Sequence, residues 1–460
     1  MKRIYINILF FIYFTCLSQL SYSAAKKPFE LPGWVLIWND EFEESELDLS
    51  KWRVSDTAPV KNKELEYYTP DDVYLENGCL ILRSQKRDMG GREYTSGHVD
   101  TKRKFATTYG RIETRAKLPG GQGIWPAHWM LPVKGGWPPE IDIMELLGHA
   151  PDRVYMTLHW GHWPNNQHAG KSFKGPDFTK GFHSFAVEWE PDEIRWYVDD
   201  VLRYTAVKNI PREPFYIILN TAVGGDWPGN PNSKTRFPQH HYIDYVRVYI
   251  KDIKGTSYLY TTAENGKIEC TPYKERYKTG ETVNLFAKPD LCYKFSRWEG
   301  DASGKNNPLR LKMDSHKKIQ AVFEPDPEGP KVISKGKKTK SSSLESPALD
   351  DRYAVDGDKE TRWSSAWSDP QWIKIDLGGI CKIIGVKLYW ETAYARAYDV
   401  QVSIDGVEWK TVYSQKSSGG DTESIGDINI EARYIRVFGK KRATDYGYSL
   451  WEIEVFGEKK

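Results

Sequence analysis

Short, closely spaced β-strand patterns are the feature that most limits what this chain can fold into. From residue 34 to about residue 249, bulky and polar residues tend to alternate in brief runs separated by turn residues. Residues 79–82, 194–198 and 242–248 are examples. Segments with helical period are hard to find in this stretch. We therefore expect it to form one large antiparallel β-sandwich.

The remaining sequence divides into further β-rich units, as expected for 460 residues, which are too many for one ordinary core. Residues 256–323 are strand-like, and a hydrophilic passage rich in Pro, Lys and Ser covers residues 325–343, part of which we interpret as linker. Apolar alternation returns after it. The predicted fold class is all-β, with domains at residues 28–251, 255–325 and 331–458.

The first residues have the pattern of an export signal. Lys2 and Arg3 precede an apolar run at residues 4–14, and small residues follow up to Ser23. The run is shorter than the roughly 20 residues that span a bilayer. We predict a signal peptide at residues 1–23 and a secreted protein. Surface lipidation at Cys16 is the alternative, although the residues before it are a poor lipidation context.

Charge and aromatic content narrow the classes of partner. A net charge of +2 makes no case for nucleic acid, an anionic membrane or a strongly charged substrate. No second apolar segment of transmembrane length follows the leader. The 18 Trp and 28 Tyr residues are unusual, since flat aromatic faces stack on the C–H faces of sugar rings. Core packing is the alternative explanation for each of them.

The cysteines do not form a disulfide framework. Removal of the leader leaves four, too few for a scaffold of this length. Cys270 and Cys292 fall in one small predicted domain and could pair, which spacing alone leaves open. No Cys/His cluster has the spacing of a zinc site.

The most informative segment is the acidic run at residues 140–145. In a strand, alternate side chains share a face, so Glu140 and Asp142 point one way while the intervening isoleucines point into the core. Strict alternation would send Glu145 to the apolar side, where an unpaired carboxylate is costly. A one-residue bulge at about Met144 would return Glu145 to the acidic face.

Three carboxylates on one face suit glycoside hydrolysis. Crowding disfavours ionising all of them, so one should keep its proton at neutral pH. Retaining glycosidases need one ionised nucleophile and one protonated acid, with carboxyl groups about 5–5.5 Å apart. The alternative from these six residues alone is an acidic edge strand that discourages aggregation.

Aromatic segments surround this run, at residues 123–131, 136–139, 157–160 and 224–227. Together with residues 38–42, 47–52, 64–68, 109–113, 182–183, 198–199 and 244–249, they make the first domain resemble glycoside hydrolase family 16, the laminarinase-like β-jelly-roll enzymes. The resemblance covers nearly all of residues 34–249.

The resemblance implies roles for individual residues. Glu140 would be the nucleophile, Asp142 the residue that tunes it, and Glu145 the general acid and then base. The predicted substrate-binding residues are Trp125, Trp129, Trp227, Trp137, His159 and Asn62. Lys63 stands where the family usually has a second Asn. Glu41 and Asp244 match positions near a calcium site of the family.

Some positions depart from the β-1,3-glucanase pattern and bear on substrate. Pro138 and Pro139 replace a small residue and Gly before the first acid, and residues 154–156 replace a common His-Gly. Three hypotheses follow. The chain is a retaining endo-β-glycosidase on a β-1,3-glucan or mixed-linkage glucan, an endo-β-galactosidase on keratan-type, mucin-type or algal galactans, or a non-catalytic carbohydrate-binding adhesin.

The other two domains resemble binding and spacer modules. Residues 331–457 resemble the discoidin, or coagulation factor type C, domain, which implies glycan binding and structural calcium near Asp356, Thr361 and Glu452. Asp-Gly turns without metal are the alternative. Tyr394, Arg396 and Tyr446 are candidate sugar contacts. The middle domain resembles listerial B-repeat modules, and we interpret it as a spacer. We expect no catalytic cofactor and a monomer.

Overall fold

The computed structural model describes residues 29–59, 61–161, 165–274, 276–420 and 422–459. The predicted signal peptide and Cys16 lie outside these residues. Apart from two short 3-10 turns, Pro70–Asp72 and Asp351–Val355, the described elements are β-strands, which confirms the all-β fold class. A helix long and apolar enough to cross a membrane is not found among the described residues.

The first domain contains seventeen of the described strands. They are β1 (Trp34–Asp40), β2 (Arg53–Val54), β3 (Glu66–Tyr68), β4 (Val73–Glu76), β5 (Cys79–Met89), β6 (Arg92–Ser96), β7 (His98–Asp100), β8 (Gly110–Lys117), β9 (Ile124–Pro132), β10 (Glu140–Leu146), β11 (Arg153–Trp160), β12 (Gln167–Lys174), β13 (His183–Trp189), β14 (Ile194–Val198), β15 (Val201–Ala206), β16 (Phe215–Val223) and β17 (Gln239–Lys251).

These strands form a two-layer β-jelly-roll sandwich. One sheet has the order β15-β14-β13-β8-β17-β5-β6-β3, with β1 and β4 added to its sides. The other has the order β12-β11-β10-β9-β16-β7-β2. Apolar residues of both sheets, such as Val187 and Val246 of the first and Met130 and Leu158 of the second, meet in one buried core. Burial of this apolar layer holds the two sheets together.

The acidic run lies inside the second sheet. Its strand, β10, pairs with β11 on one side and with β9 on the other. The edge belongs to β12, most of whose residues are exposed or half-buried. The alternative of an acidic edge strand is therefore wrong, and the three carboxylates need another explanation.

The middle domain is a small β-unit with its own core. Its strands are β18 (Thr256–Ser257), β19 (Leu259–Ala263), β20 (Gly266–Thr271), β21 (Tyr277–Lys278), β22 (Glu281–Pro289), β23 (Tyr293–Gly300), β24 (Leu309–Met313) and β25 (Lys317–Pro325). Trp298, Val283 and Ile319 are among the residues that pack at its centre. Cys270 and Cys292 are free thiols in the structure.

The C-terminal domain is a second β-sandwich with a separate core around Trp363 and Tyr398. Its strands are β26 (Lys331–Val332), β27 (Lys338–Ser341), β28 (Trp363–Ser364), β29 (Gln371–Trp390), β30 (Ala395–Ser403), β31 (Lys410–Gln415), β32 (Thr422–Ile425), β33 (Ile430–Arg442) and β34 (Ser449–Lys459).

The linker occupies only a small part of the hydrophilic passage at residues 325–343. Within residues 325–343, β26 pairs with β34 and β27 pairs with β29. Only residues 326–330 lie between the strands of the middle and C-terminal domains. The lysines of β27 are solvent-facing side chains of a sheet strand, which composition alone does not distinguish from a linker.

Candidate active site

A β-bulge lies between the acids of β10. Glu140 pairs with His159 and Asp142 with Thr157, but the next pair on that side is Glu145 with Tyr155. Three residues of β10 are thus opposed by two residues of β11. The pairing with β9 shifts at the same place. The register confirms the predicted bulge around Met144.

The bulge places the three carboxylates on one face. β11 pairs with β12 without interruption, so Tyr155, Thr157 and His159 alternate regularly and share a face. The three acids stand opposite these three residues. All three β11 residues are half-buried, whereas Val154, Met156 and Leu158 between them are fully buried in the core. The acids therefore face the open side of the sheet.

The apolar residues of the bulge anchor it from below. Ile143 and Met144 are both almost completely buried and belong to the sandwich core, as does Ile141. Trp196 of the opposite sheet donates its indole N–H to the Asp142 carbonyl at 2.8 Å. The extra residue thus adds apolar burial to the core, which offsets the loss of regular strand pairing.

Glu140 and Asp142 form the more enclosed part of the site. The Trp137 Nε1 donates to Glu140 Oε2 at 3.0 Å. His159 Nε2 lies 3.1 Å from Asp142 Oδ2 and 3.5 Å from Glu140 Oε1. The carboxyls of Glu140 and Asp142 share a hydrogen bond, which requires one proton between them. The pair therefore carries one negative charge at most while that bond is kept.

Glu145 stands beside an aromatic wall. The Trp125 Nε1 donates to Glu145 Oε1 at 3.1 Å. The Trp227 ring meets Trp125 edge-on at a centroid distance of 5.5 Å and Tyr155 at 4.8 Å. Trp227 is 42% exposed, a large fraction for so apolar a side chain. Its free surface is available for a sugar ring.

Burial dominates the protonation of the acids. It raises the pKa of Glu140 well above its ordinary value, and the neighbouring Asp142 adds to that rise. Burial and then the charge of Glu140 raise the pKa of Glu145 to about 8. Burial and the charge of Glu145 also raise the pKa of Asp142. At neutral pH the site keeps Glu145 protonated beside a carboxyl pair that can ionise once.

His159 is neutral in this environment. Burial lowers its pKa, against the opposing effect of Glu140. Its Nδ1 is buried and has no hydrogen-bond partner within the described residues. A neutral imidazole has one donor and one acceptor nitrogen, and here Nε2 is the nitrogen directed at the acids.

Trp129 is held by a polar chain that leads away from the acids. Its Nε1 donates to Asn220 Oδ1 at 2.9 Å, and Asn220 Nδ2 donates to the Tyr68 hydroxyl at 2.8 Å. Glu66 lies next in this chain and accepts the Val223 N–H at 2.8 Å. Burial, and then the charge of Glu64, raises the pKa of Glu66. These bonds fix the Trp129 ring on the cleft face.

Asn62 lies at the rim of the cleft and is exposed. Its side chain donates to Glu64 Oε1 at 2.9 Å, and its carbonyl accepts the Asp226 N–H at 2.7 Å. Lys63, the departure from the family pattern, pairs with Asp226 Oδ1 at 2.8 Å. In this structure Asn62 and Lys63 position the loop that carries Trp227.

One group of three metal-ligand side chains within the described residues could share an ion, and it is Glu140, Asp142 and His159. These residues belong to the candidate active site, where the proton shared by Glu140 and Asp142 already reduces the negative charge of the two carboxyls. The predicted calcium positions Glu41 and Asp244 are engaged by Arg247 and Arg115. The structure favours ion pairs there, and the metal prediction for these two positions stays a prediction.

The predicted calcium position in the C-terminal domain has a different character. Glu452 is buried and, among the described residues, accepts only the Gly357 N–H, at 3.2 Å. Thr361 Oγ1 donates to Asp356 Oδ2 at 2.8 Å. Burial raises the pKa of Glu452 to about 7, and the charge of Asp356 adds to the rise. A buried carboxylate beside a second acid, with no basic partner at hydrogen-bonding distance in the described part of the chain, fits a divalent cation that takes oxygen ligands.

Sequence reasoning missed several residues of this face. Tyr155 lies in a segment expected to line the cleft, but Val154 and Met156 beside it are core residues. Asn220 and Tyr68 were not singled out, since neither has a motif of its own. Counting in steps of two from His159 along β11 would have found Tyr155.

Comparisons with known proteins follow the same division of the chain. The family model for glycosyl hydrolases family 16 matches residues 61–247. The F5/8 type C domain model matches residues 337–453, and the divergent InlB B-repeat domain model matches residues 258–327. The three resemblances stated from sequence are thereby confirmed.

Several curated relatives are glycan-cleaving enzymes. A β-glucanase of Rhodothermus marinus is 40% identical over 250 residues, which cover 47% of this chain and 86% of the relative. Glucan endo-1,3-β-glucosidase A1 of Niallia circulans is 39% identical over 48% of this chain and 38% of its own length. A keratan-sulfate endo-1,4-β-galactosidase of Sphingobacterium multivorum is 35% identical over 46% of this chain and 54% of its own length.

The fold and the site define a glycoside hydrolase in which Glu140, Asp142 and Glu145 lie on the open face of a jelly roll. The chain belongs to glycosyl hydrolases family 16. Its homologues include endo-1,3-β-glucanases and related β-glucanases, and its substrate is a glycan.

Proposed function

We propose that this chain is an exported, retaining endo-β-glycosidase that hydrolyses internal bonds of a β-1,3-glucan or a mixed-linkage β-glucan. The observation that carries the proposal is the bulge of β10, which brings Glu140, Asp142 and Glu145 onto one face opposite Tyr155, Thr157 and His159. Retaining hydrolysis needs a nucleophile and an acid that flank the same bond, with carboxyl groups about 5–5.5 Å apart.

The first step is assigned to Glu140 and Glu145. Glu140 attacks the anomeric carbon and forms a covalent glycosyl ester, while Glu145 gives its proton to the oxygen of the leaving sugar. The raised pKa of Glu145, about 8, keeps that proton in place at neutral pH. Asp142 takes the proton that it shares with Glu140, so that Glu140 attacks as the carboxylate.

The second step reverses the role of Glu145. Now ionised, it takes a proton from a water molecule, which attacks the same anomeric carbon and breaks the ester to Glu140. Two successive inversions leave the configuration retained. The Trp125 indole, which donates to Glu145, stabilises its ionised form during this step.

Substrate is held by stacking and by hydrogen bonds. The exposed ring of Trp227 and the cleft-facing rings of Trp125 and Trp129 are the proposed platforms. His159, whose Nε2 lies beside the carboxyls of Glu140 and Asp142, is the proposed polar contact of the sugar ring next to Glu140. An elongated row of aromatic platforms suits a chain polymer cut internally.

A digest of defined polysaccharides tests the substrate. Laminarin, a mixed-linkage glucan, agar and keratan sulfate are incubated separately, and products are separated by size and sequenced. The proposal predicts a ladder of short oligosaccharides from laminarin or the mixed-linkage glucan. Oligosaccharides from keratan sulfate or agar alone would instead support an endo-β-galactosidase, which the likeness to the keratan-sulfate enzyme keeps as the second candidate.

The third hypothesis, a binding protein without activity, makes a distinct prediction. A lectin would retain laminarin yet release no product from any β-glycan. Buried carboxyls that interact by charge destabilise a fold, and a protein that only binds has no need of Glu145 in its protonated state. The enzyme is therefore the better account of these residues.

A further inference from the structure

The cleft face continues beyond the acids toward the C-terminal domain. On β9, Met130 pairs with Ile141 on one side and with Ile217 on the other. The next position, Leu131, pairs with Tyr216 and stands beside Glu140. Glu140, Leu131 and Tyr216 thus form one row across the sheet on the cleft face.

Tyr216 links this row to a tyrosine of another domain. Burial raises the pKa of Tyr216, and the charges that add to the rise include those of Glu140 and of Tyr394 in the C-terminal domain. Tyr216 also adjoins Ile217 on β16, and the Ile217 N–H binds Thr101 of the loop whose Arg103 contacts the C-terminal domain. The C-terminal domain is therefore held beside the end of the row.

A tight loop of the first domain, residues 101–105, holds the two domains together here. Thr101 Oγ1 donates to the Phe105 carbonyl at 2.8 Å and accepts the Ile217 N–H at 3.0 Å, so the loop is fixed to the strand that carries Tyr216. Arg103, at its tip, has a positive φ of 65°. An arginine in this conformation is held there by the loop around it.

Arg103 makes the contact between the domains. Its guanidinium donates to the carbonyls of Gly420 and Thr422, the latter at 2.7 Å. Gly420 in turn lies under the Tyr394 ring, since a Cβ built on it would come within 2.5 Å of Tyr394 Cδ1. Arg103 and Tyr394 therefore meet on the same glycine.

The segment that Arg103 contacts is tied to a half-buried carboxylate, Glu423. Ser418 Oγ accepts the Gly420 N–H and donates to Glu423 Oε1, both at 2.9 Å. Glu423 also accepts the Trp390 indole N–H at 3.2 Å and the Tyr398 hydroxyl. These bonds give the segment a fixed shape against the first domain.

The middle domain fixes the arrangement from the other side. Its Tyr260 packs on Phe105, at the base of the Arg103 loop, with ring centroids 5.7 Å apart. Its Leu291 fills the space in which a Cβ on Gly385 of the C-terminal domain would lie, 2.7 Å away. The middle domain therefore acts as more than a spacer, since it packs against both neighbours.

We propose that the C-terminal domain supplies a further glycan-binding segment of the cleft, in which Tyr394 extends the row of Glu140, Leu131 and Tyr216 and Arg103 holds it in position. The occupant is the length of neutral polysaccharide that lies beyond the cleaved bond. The inference rests on the proposed function, since it concerns the same substrate.

The surface beyond Tyr394 suits the same ligand. The Tyr394 carbonyl accepts the Ala443 N–H at 3.0 Å, and the adjacent Arg442 donates to the Tyr446 carbonyl at 3.0 Å. Tyr446 and Trp367 meet edge-on at 5.2 Å and are 45% and 54% exposed. This exposed aromatic pair is a further candidate platform for a glycan on the C-terminal domain.

Chain-length dependence tests the proposal. Tyr394→Ala and Arg103→Ala are compared with wild type on the polysaccharide that the wild type cuts and on its shortest cleavable oligosaccharide. Loss of one stacked ring should lower kcat/KM on the polymer by about 3- to 10-fold. The change on the short substrate should stay below about twofold, because it does not reach Tyr394.

Controls separate this role from a structural one. Tyr394→Phe keeps the ring and should retain activity on the polymer. Tyr273→Ala and Arg212→Ala, at exposed sites elsewhere, should leave kcat/KM unchanged on both substrates. If Tyr394→Ala does not fold, Arg103→Ala still decides between the outcomes. Equal losses on both substrates, or none, would overturn the inference. Absence of any wild-type cleavage would instead overturn the proposed function.

Discussion

Glu145 pairs with Tyr155 across β10 and β11, one residue out of phase with the pairing of Asp142 and Thr157. This offset decides the chemistry of the site. Without it Glu145 would point into the sandwich core beside Ile141. With it, Glu140 and Glu145, the proposed nucleophile and proton donor, share one wall of the cleft.

The pH dependence of activity should report the acids separately. Activity needs Glu145 protonated and Glu140 ionised, so kcat/KM should fall as pH rises through the pKa of Glu145, about 8. Asp142 raises the pKa of Glu140. In Asp142→Asn the acid limb of the pH profile, which reports ionisation of Glu140, should therefore move to lower pH. Profiles of kcat/KM against pH for the variant and the wild type measure this shift. An unmoved acid limb would contradict the proposed coupling.

The two tryptophan N–H donors should tune opposite limbs of that profile. Trp125 lowers the pKa of Glu145, so Trp125→Phe should shift the alkaline limb upward. Trp137 lowers the pKa of Glu140, so Trp137→Phe should shift the acid limb upward. Each variant serves as the control for the other. Parallel shifts of both limbs in either variant would show that the bonds do not act on separate acids.

Replacing Glu145 by Gln should stabilise the protein in a pH-dependent way. The folded-state pKa is about 8 against an ordinary 4.5, so the folded state binds a proton that the unfolded state releases between these values. Wild-type stability therefore falls as pH rises through that window, by about 1.4 kcal/mol per pH unit. Glu145→Gln removes this loss.

Thermal unfolding measures that effect. The Tm of Glu145→Gln should match wild type near pH 4 and exceed it increasingly up to pH 8, while the exposed Glu46→Gln should show no such trend. A constant difference across the pH range would mean that burial does not hold the proton on Glu145.

Calcium should stabilise the C-terminal domain through Asp356 and Glu452. Since a cation would relieve the buried charge of Glu452, added calcium should raise the Tm and a chelator should lower it. Asp356→Asn should remove the response. Asp405→Asn, in a second Asp-Gly turn of the same domain, is the matched control and should keep it. A calcium response that survives Asp356→Asn would place the ion elsewhere.

Much of the site could be predicted from sequence because the chemistry is local. The acids, the alternation and the need for an extra residue all lie within residues 140–145. The contact of Arg103 with the C-terminal domain could not be predicted. It joins residues more than 300 positions apart, such as Arg103 and Thr422, and no local pattern encodes such a pairing. Likewise, composition alone did not show which part of residues 325–343 is linker, and the backbone bonds of residues 331–332 and 338–341 belong to a sheet.

The most direct measurement of the central claim is the stereochemistry of azide rescue. With an activated aryl β-glycoside, Glu140→Ala should lose turnover, and azide should restore it with a glycosyl azide of inverted configuration, because azide enters from the side that Glu140 occupied. Glu145→Ala should give the retained isomer, since Glu140 still forms the ester. Undiminished turnover in Glu140→Ala, or the same isomer from both variants, would contradict the assignment of Glu140 as the nucleophile and Glu145 as the acid.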